Sequence, residues 1–138
     1  MVRLSHYNCA FVFCIPHRYD DGHAIMYERN LVQFIRQLRR DFNAPTAPFV
    51  LATLGQTDCN EANDNARNTN DRLIFNAMMA VDDTTGQYPD FVGNVSTVYA
   101  HPYAQGGSSN GHYNNNAEVY MDVGQAMGRA MLKLNKMA

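Results

Sequence analysis

Apolar and polar positions along this chain repeat one pattern three times: a short apolar run, a polar connection, then an amphipathic stretch. The first run, Cys9-Ala10-Phe11-Val12-Phe13-Cys14-Ile15, is rich in aromatic and branched side chains and stops at Pro16, as a buried strand does. From Tyr27 to Phe42 the apolar residues Tyr27, Leu31, Phe34, Ile35, Leu38 and Phe42 recur three and four positions apart. That spacing predicts a helix with these residues on one face, opposite Arg29, Gln33, Arg36 and Arg40. Ala44-Pro45-Thr46-Ala47-Pro48 ends it, because proline lacks an amide donor and forces its predecessor out of helical geometry. Phe49 to Leu54 then runs apolar without alternation, the pattern of a strand covered on both faces.

Gly55 to Thr69 is polar and lacks an apolar period, which predicts a surface loop. Thr69 or Asn70 can cap a second helix whose buried stripe reads Leu73, Ile74, Ala77, Met78 and Val81, ended by Asp82-Asp83-Thr84-Thr85-Gly86. Asn94 to Ala100 has the branched and aromatic content of a third strand. After a polar loop, Asn115 with Glu118 three residues on resembles a capping box, and a final helix follows with the stripe Ala117, Tyr120, Met121, Gly124, Met127, Met131. Lys133 and Lys136 suit its carboxyl end, where the helix dipole is negative. Gly124 and Gly128 read as a close packing point of this helix on the sheet, and Met78, Met79, Met121, Met127 and Met131 as adaptable core filler.

The order strand, helix, strand, helix, strand, helix predicts an α/β fold: right-handed crossovers building a parallel sheet inside a three-layer α/β/α sandwich. Open parallel sheets bind ligands beyond the carboxyl ends of their strands. That rule selects two long polar loops, 55–68 and 101–114. The first carries Asp58 and Glu61, the second His112.

Length and charge narrow the function. The chain has 138 residues, the size of one domain, with a net charge of -2. Its only basic cluster, Arg36, Arg39 and Arg40, reads as a solvated helix face, so nucleic acid is not an expected partner. Cys9 to Ile15 is too short to cross a bilayer or to form a signal-peptide core, which argues against a membrane partner and for the cytoplasm. Cys9, Cys14 and Cys59 are odd in number and lack paired-ligand spacing, so free buried thiols are expected rather than a zinc site or a disulfide. No metal or organic cofactor is expected.

His112 stands in Gly106-Gly107-Ser108-Ser109-Asn110-Gly111-His112-Tyr113-Asn114, just before the last helix. An imidazole delivered on a polar loop is where a hydrolase keeps its general base. No serine stands at a strand-to-helix turn to serve as its nucleophile. Ser108 and Ser109 share the loop and read first as turn formers, with a nucleophilic role as the alternative. His101, beside Pro102, reads as closing the third strand, and His6, His17 and His23 receive no role.

Four segments in order carry a resemblance: Tyr27 to Phe42, Ala47 to Gly55, Asn110 to Asn114, and Met121 to Gly128. Together they resemble the carboxyl-terminal half of the sialate O-acetylesterase-like domain, the carbohydrate-esterase branch of the SGNH hydrolase superfamily. The resemblance implies an incomplete SGNH/flavodoxin-like sandwich in residues 24–138, and a serine esterase that removes acetyl groups from carbohydrate. It also implies that His112 is the catalytic base. Many members place an aspartate three residues before that histidine, whereas Ser109 stands here. Ser109, Asp58, Asn110 and Tyr113 are the expected orienting or substrate-contacting residues. Residues 1–23 do not share the resemblance and read as a leader from a shifted frame or mis-assigned start, which leaves the chain without the nucleophile block and expected to be inactive. The alternative is a noncatalytic remnant or a weak carbohydrate-binding module. An incomplete sheet also predicts self-association through an exposed edge.

Overall fold

The computed structural model describes residues 9–11, 21–55, 68–104, 113 and 116–137. Three strands, β1 (Cys9–Phe11), β2 (Phe49–Ala52) and β3 (Val95–Val98), alternate with three helices, α1 (Asp21–Asp41), α2 (Asn68–Ala80) and α3 (Ala117–Met137). Three short 3-10 turns, Asp83–Thr85, Pro89–Phe91 and His101–Tyr103, bracket β3. The strands lie in the order β1-β2-β3 and both pairs are parallel, with Cys9 opposite Phe49 and Phe49 opposite Val95. The molecule is therefore mixed α/β around a small parallel sheet, as its apolar runs predict.

β2 explains how that sheet is covered. Phe49 and Leu51 join a core with Tyr27, Leu31 and Ile35 of α1 and Ile74 and Met78 of α2. Val50 and Ala52, pointing the other way, join a second core with Val119, Val123, Met127 and Met131 of α3. Every side chain of β2 is thus buried, which is why its sequence shows no alternation. Ile35, Ile74 and Val50 are wholly inaccessible, and removing such a side chain costs about 2–5 kcal/mol where it leaves a cavity.

Both crossing helices start earlier than the sequence pattern suggests. α1 begins at Asp21 and adds Ala24 and Val32 to the buried face, while α2 begins at Asn68 rather than at a Thr69 or Asn70 cap. Phe42 is 61% exposed, because the helix has ended at Asp41 and the chain turns away through Asn43, at a left-handed φ of 49°. Leu73 is 37% exposed, and Phe75 replaces it in the α2 stripe.

α3 departs further. Its buried residues are Val119, Val123, Met127, Met131 and Leu134, whereas Ala117, Tyr120, Met121 and Gly124 face outward. The two faces carry similar apolar content, so periodicity alone selects the wrong one for the first two turns. Met121, at 74% exposure, is not core filler, although Met78, Met127 and Met131 are. Gly124 and Gly128 are exposed, and a Cβ on either would meet nothing within 4 Å, so they are not a packing point on the sheet. The cap is Asn116 rather than Asn115: its Oδ1 accepts the Glu118 amide at 3.0 Å.

The basic cluster is also corrected. Arg39 is only 8% exposed, and its guanidinium donates to the Ala47 carbonyl at 2.8 Å and to Asn94 Oδ1 at 2.6 Å. It clamps the end of α1 to the residues that lead into β2 and β3. Arg36 pairs with Asp90 through two contacts of 2.8 Å at the exposed surface, so of the three only Arg39 departs from the expected solvated face. Beyond α2, Asp82 caps the first 3-10 turn by accepting the Thr84 amide at 3.0 Å. Its other oxygen accepts the Thr97 amide of β3 at 2.7 Å.

Candidate functional site at the carboxyl edge

The chain leaves β2 through Thr53, Leu54 and Gly55, all buried. The Thr53 amide donates to the Val98 carbonyl at 2.9 Å, and the Thr53 hydroxyl accepts the Ala100 amide at 3.0 Å. These two bonds hold the chain ends beyond β2 and β3 side by side past the last ladder pair. Both backbone groups of Gly55 are then taken by side chains from elsewhere: its amide donates to the Tyr113 hydroxyl at 3.2 Å, and its carbonyl lies 2.8 Å from His101 Nδ1. A carbonyl only accepts, so Nδ1 carries the proton in this contact, and in the neutral ring Nε2 is the basic nitrogen.

Glycine is required here by crowding. A Cβ at position 55 would sit 2.5 Å from Tyr113 Cε1, well inside any real contact. Tyr113 itself holds a left-handed φ of 48°, a conformation costing a residue with a side chain about 1–2 kcal/mol. Its ring meets Tyr120 of α3 edge-on, with centroids 5.1 Å apart. On the opposite flank Tyr99 stacks on His101 at 6.0 Å and takes the edge of Phe75 at 5.7 Å. The carboxyl edge therefore presents a glycine peptide between an imidazole and a phenol, flanked by the rings of Tyr99 and Tyr120.

Of the expected site residues, Tyr113 belongs to this constellation. His112, Ser109, Asn110 and Asp58 lie outside the described residues, as do Ser108, Glu61 and the side chains of the three cysteines. Ser96, the one serine among the described residues, sits inside β3 opposite Val50 and not at a strand-to-helix turn. His101 does more than close a strand: β3 ends at Val98, and the imidazole opens the following turn and reaches across to Gly55. Sequence reasoning missed Gly55 and Tyr99. A glycine directly after a fully apolar strand is the signal for a close approach, and Tyr99-Ala100-His101 after the third strand carried the partner.

A groove lies at the opposite edge of the sheet, lined by Arg36, Arg39, Arg40, Asn43, Pro45 and Asp90. Its charges are largely taken up within the chain, by the Arg36–Asp90 pair and the Arg39 clamp. Burial pushes the Arg39 guanidinium below its ordinary range, and the Arg36 guanidinium beside Asp90 holds that carboxyl below the usual carboxylate range. Among the described residues no group of three or more histidine, cysteine, aspartate or glutamate side chains converges as metal ligands would, and no helix is long and apolar enough to cross a membrane. Compared with protein families, curated proteins and solved structures, the chain matches none.

Proposed function

We propose that this chain is the carboxyl-terminal part of a carbohydrate O-acetylesterase domain of the SGNH type, a three-layer α/β/α sandwich in which His112 is the general base. The four ordered segments that resemble the family carry the reading, and one structural observation supports it. Tyr113, the chain neighbour of His112, docks on Gly55 at the carboxyl edge, where parallel sheets of this kind bind ligands. In this reading His112 takes the proton of a serine hydroxyl as that oxygen attacks the acetyl carbonyl. It returns the proton to the departing sugar oxygen, and water then releases acetate by the reverse sequence. Ser109 or Asp58 orients the imidazole, and Asn110 and Tyr113 contact the acetylated carbohydrate. A base alone supplies about 100-fold to 10,000-fold of the acceleration, so this chain without its nucleophile turns nothing over.

A second reading, a noncatalytic remnant that binds sugar weakly, is favoured by the aromatic lining of the edge. Tyr99, His101 and Tyr113 are half-buried and Tyr120 is exposed, a surface on which a pyranose ring can stack.

The experiment compares wild type, His112→Ala and Ser108→Ala/Ser109→Ala with a fluorophosphonate probe and p-nitrophenyl acetate. Equal background hydrolysis without labelling is expected in all three. Labelling that disappears in the serine variant would place the nucleophile on the His112 loop instead. The family assignment is tested by joining residues 24–138 to any Gly-Gln-Ser-containing block encoded upstream in another frame. The joined chain should hydrolyse acetylated sugars and lose at least about 100-fold in turnover as His112→Ala. A joined chain that is folded and inert favours the sugar-binding reading.

A further inference from the structure

We propose that the outward face of α3 docks a second copy of this chain, with the two helices antiparallel. Met121, Gln125, Gly128 and Leu132 follow one another at helical spacing and form a single ribbon. Met121 is 74% and Leu132 62% exposed, and Gln125 and Gly128 are exposed between them. The space above Gly128 is open to 4 Å, so another helix can approach its backbone closely.

Charge identifies the occupant. Beside the apolar ribbon runs a second exposed ribbon of Glu118, Asp122, Arg129 and Lys136, acidic in its first half and basic in its second. The helix dipole accounts for the ends of this ribbon, Glu118 in the first turn and Lys136 in the last, but not for its middle. Glu118 and Asp122 are like charges four residues apart, as are Arg129 and Lys133, and such pairs weaken an isolated helix. That dipole acts on the terminal turns, and Asp122 and Arg129 stand between them. In an antiparallel pair about a two-fold axis, setting Met121 against Leu132 of the second copy also sets Gln125 against Gly128. The same register brings Glu118 beside Lys136 of the second copy and Asp122 beside Arg129, each contact occurring twice by symmetry. A parallel pair would instead run the charged ribbon along Ala117 and Gly124, where no opposite charge stands. One helix pair buries less than the roughly 1,200 Å² of stable complexes, so the dimer is a weak one, formed at high concentration.

Sedimentation equilibrium of the full chain from about 10 μM to about 1 mM tests this. The mass should climb from 15.5 kDa toward twice that value. Asp122→Arg and Arg129→Asp should each weaken association by about tenfold or more, and the double exchange should restore it, because it returns an acid opposite a base. Met121→Glu should also abolish the dimer, with circular dichroism confirming an unchanged fold in every variant. A monomer throughout overturns the proposal. So does a dimer indifferent to these substitutions, as one formed through a sheet edge would be, or a double exchange that fails to rescue.

Discussion

At the amino-terminal edge of the sheet charged side chains hold the backbone together, whereas at the carboxyl-terminal edge backbone and aromatic rings hold one another. Arg39 reaches from the end of α1 to Ala47 and Asn94, just before β2 and β3, and Arg36 fixes Asp90 beside it. The connections there run over 42–48 between α1 and β2 and over 81–94 between α2 and β3, the second built on two 3-10 turns. Beyond the other end of the strands, Gly55 is held by a phenol and an imidazole, and long polar segments follow β2 and β3. The contrast separates two duties of a parallel sheet. One edge can be closed by strong local bonds because nothing has to enter, while the other keeps polar atoms on loops where a ligand can reach them.

Replacing Arg39 is the most severe way to test that division. Arg39→Met keeps the apolar stem but leaves the Ala47 carbonyl and Asn94 without their donor, so urea unfolding should show a loss of about 2–4 kcal/mol. A loss below about 1 kcal/mol would mean the amino edge does not depend on its clamp. At the carboxyl edge Gly55→Ala should cost about 1–3 kcal/mol by driving Tyr113 off the peptide. The chain has no tryptophan, so near-ultraviolet circular dichroism should register the tyrosine change directly. In the double variant with Tyr113→Ala the two losses should not add, since the clash is then gone.

A position touching neither edge calibrates both. Gly124→Ala should stabilise the fold by about 0.5–1 kcal/mol, because the added methyl meets nothing and alanine orders more cheaply in a helix. The smallest effect belongs to the exposed Arg36–Asp90 pair, where Asp90→Asn should cost under about 1 kcal/mol and less in high salt. Its pH dependence has a definite sign. Asp90 titrates lower in the folded chain than in the unfolded one, so the contribution is present above the ordinary carboxylate range and fades as pH falls through the lowered value. The acid limb of stability should flatten in Asp90→Asn, and an unchanged limb would assign it to other carboxylates.

Much of the fold is legible in the sequence because β2 and α1 state their environments clearly. An unbroken apolar run has one reading as a strand buried on both faces, and Tyr27, Leu31 and Ile35 fall where their spacing places them. α3 is less legible since Val119, Val123 and Leu134 compete with Tyr120, Met121 and Leu132 for the same stripe, and only contact with β2 decides between them. Arg39 is illegible for another reason. Its partners are backbone carbonyls and an asparagine more than fifty residues away, and no local pattern announces them. At the carboxyl edge the loop positions follow from strand order, but the Gly55–His101–Tyr113 bridge joins three segments whose meeting depends on how the strands are arranged.

Asp82 has a further effect on how far this sheet can grow. Among the described residues β3 lies at the outer end of the strand order and pairs with β2 on one side. On its other side, the amide of Thr97 is already donated to Asp82, in the middle of a strand of four residues. A foreign strand arriving at that border finds a negatively charged oxygen where it needs a donor, and it loses the central rung of a ladder too short to spare one. The carboxylate that folds the turn after α2 therefore also works as a guard against templated aggregation.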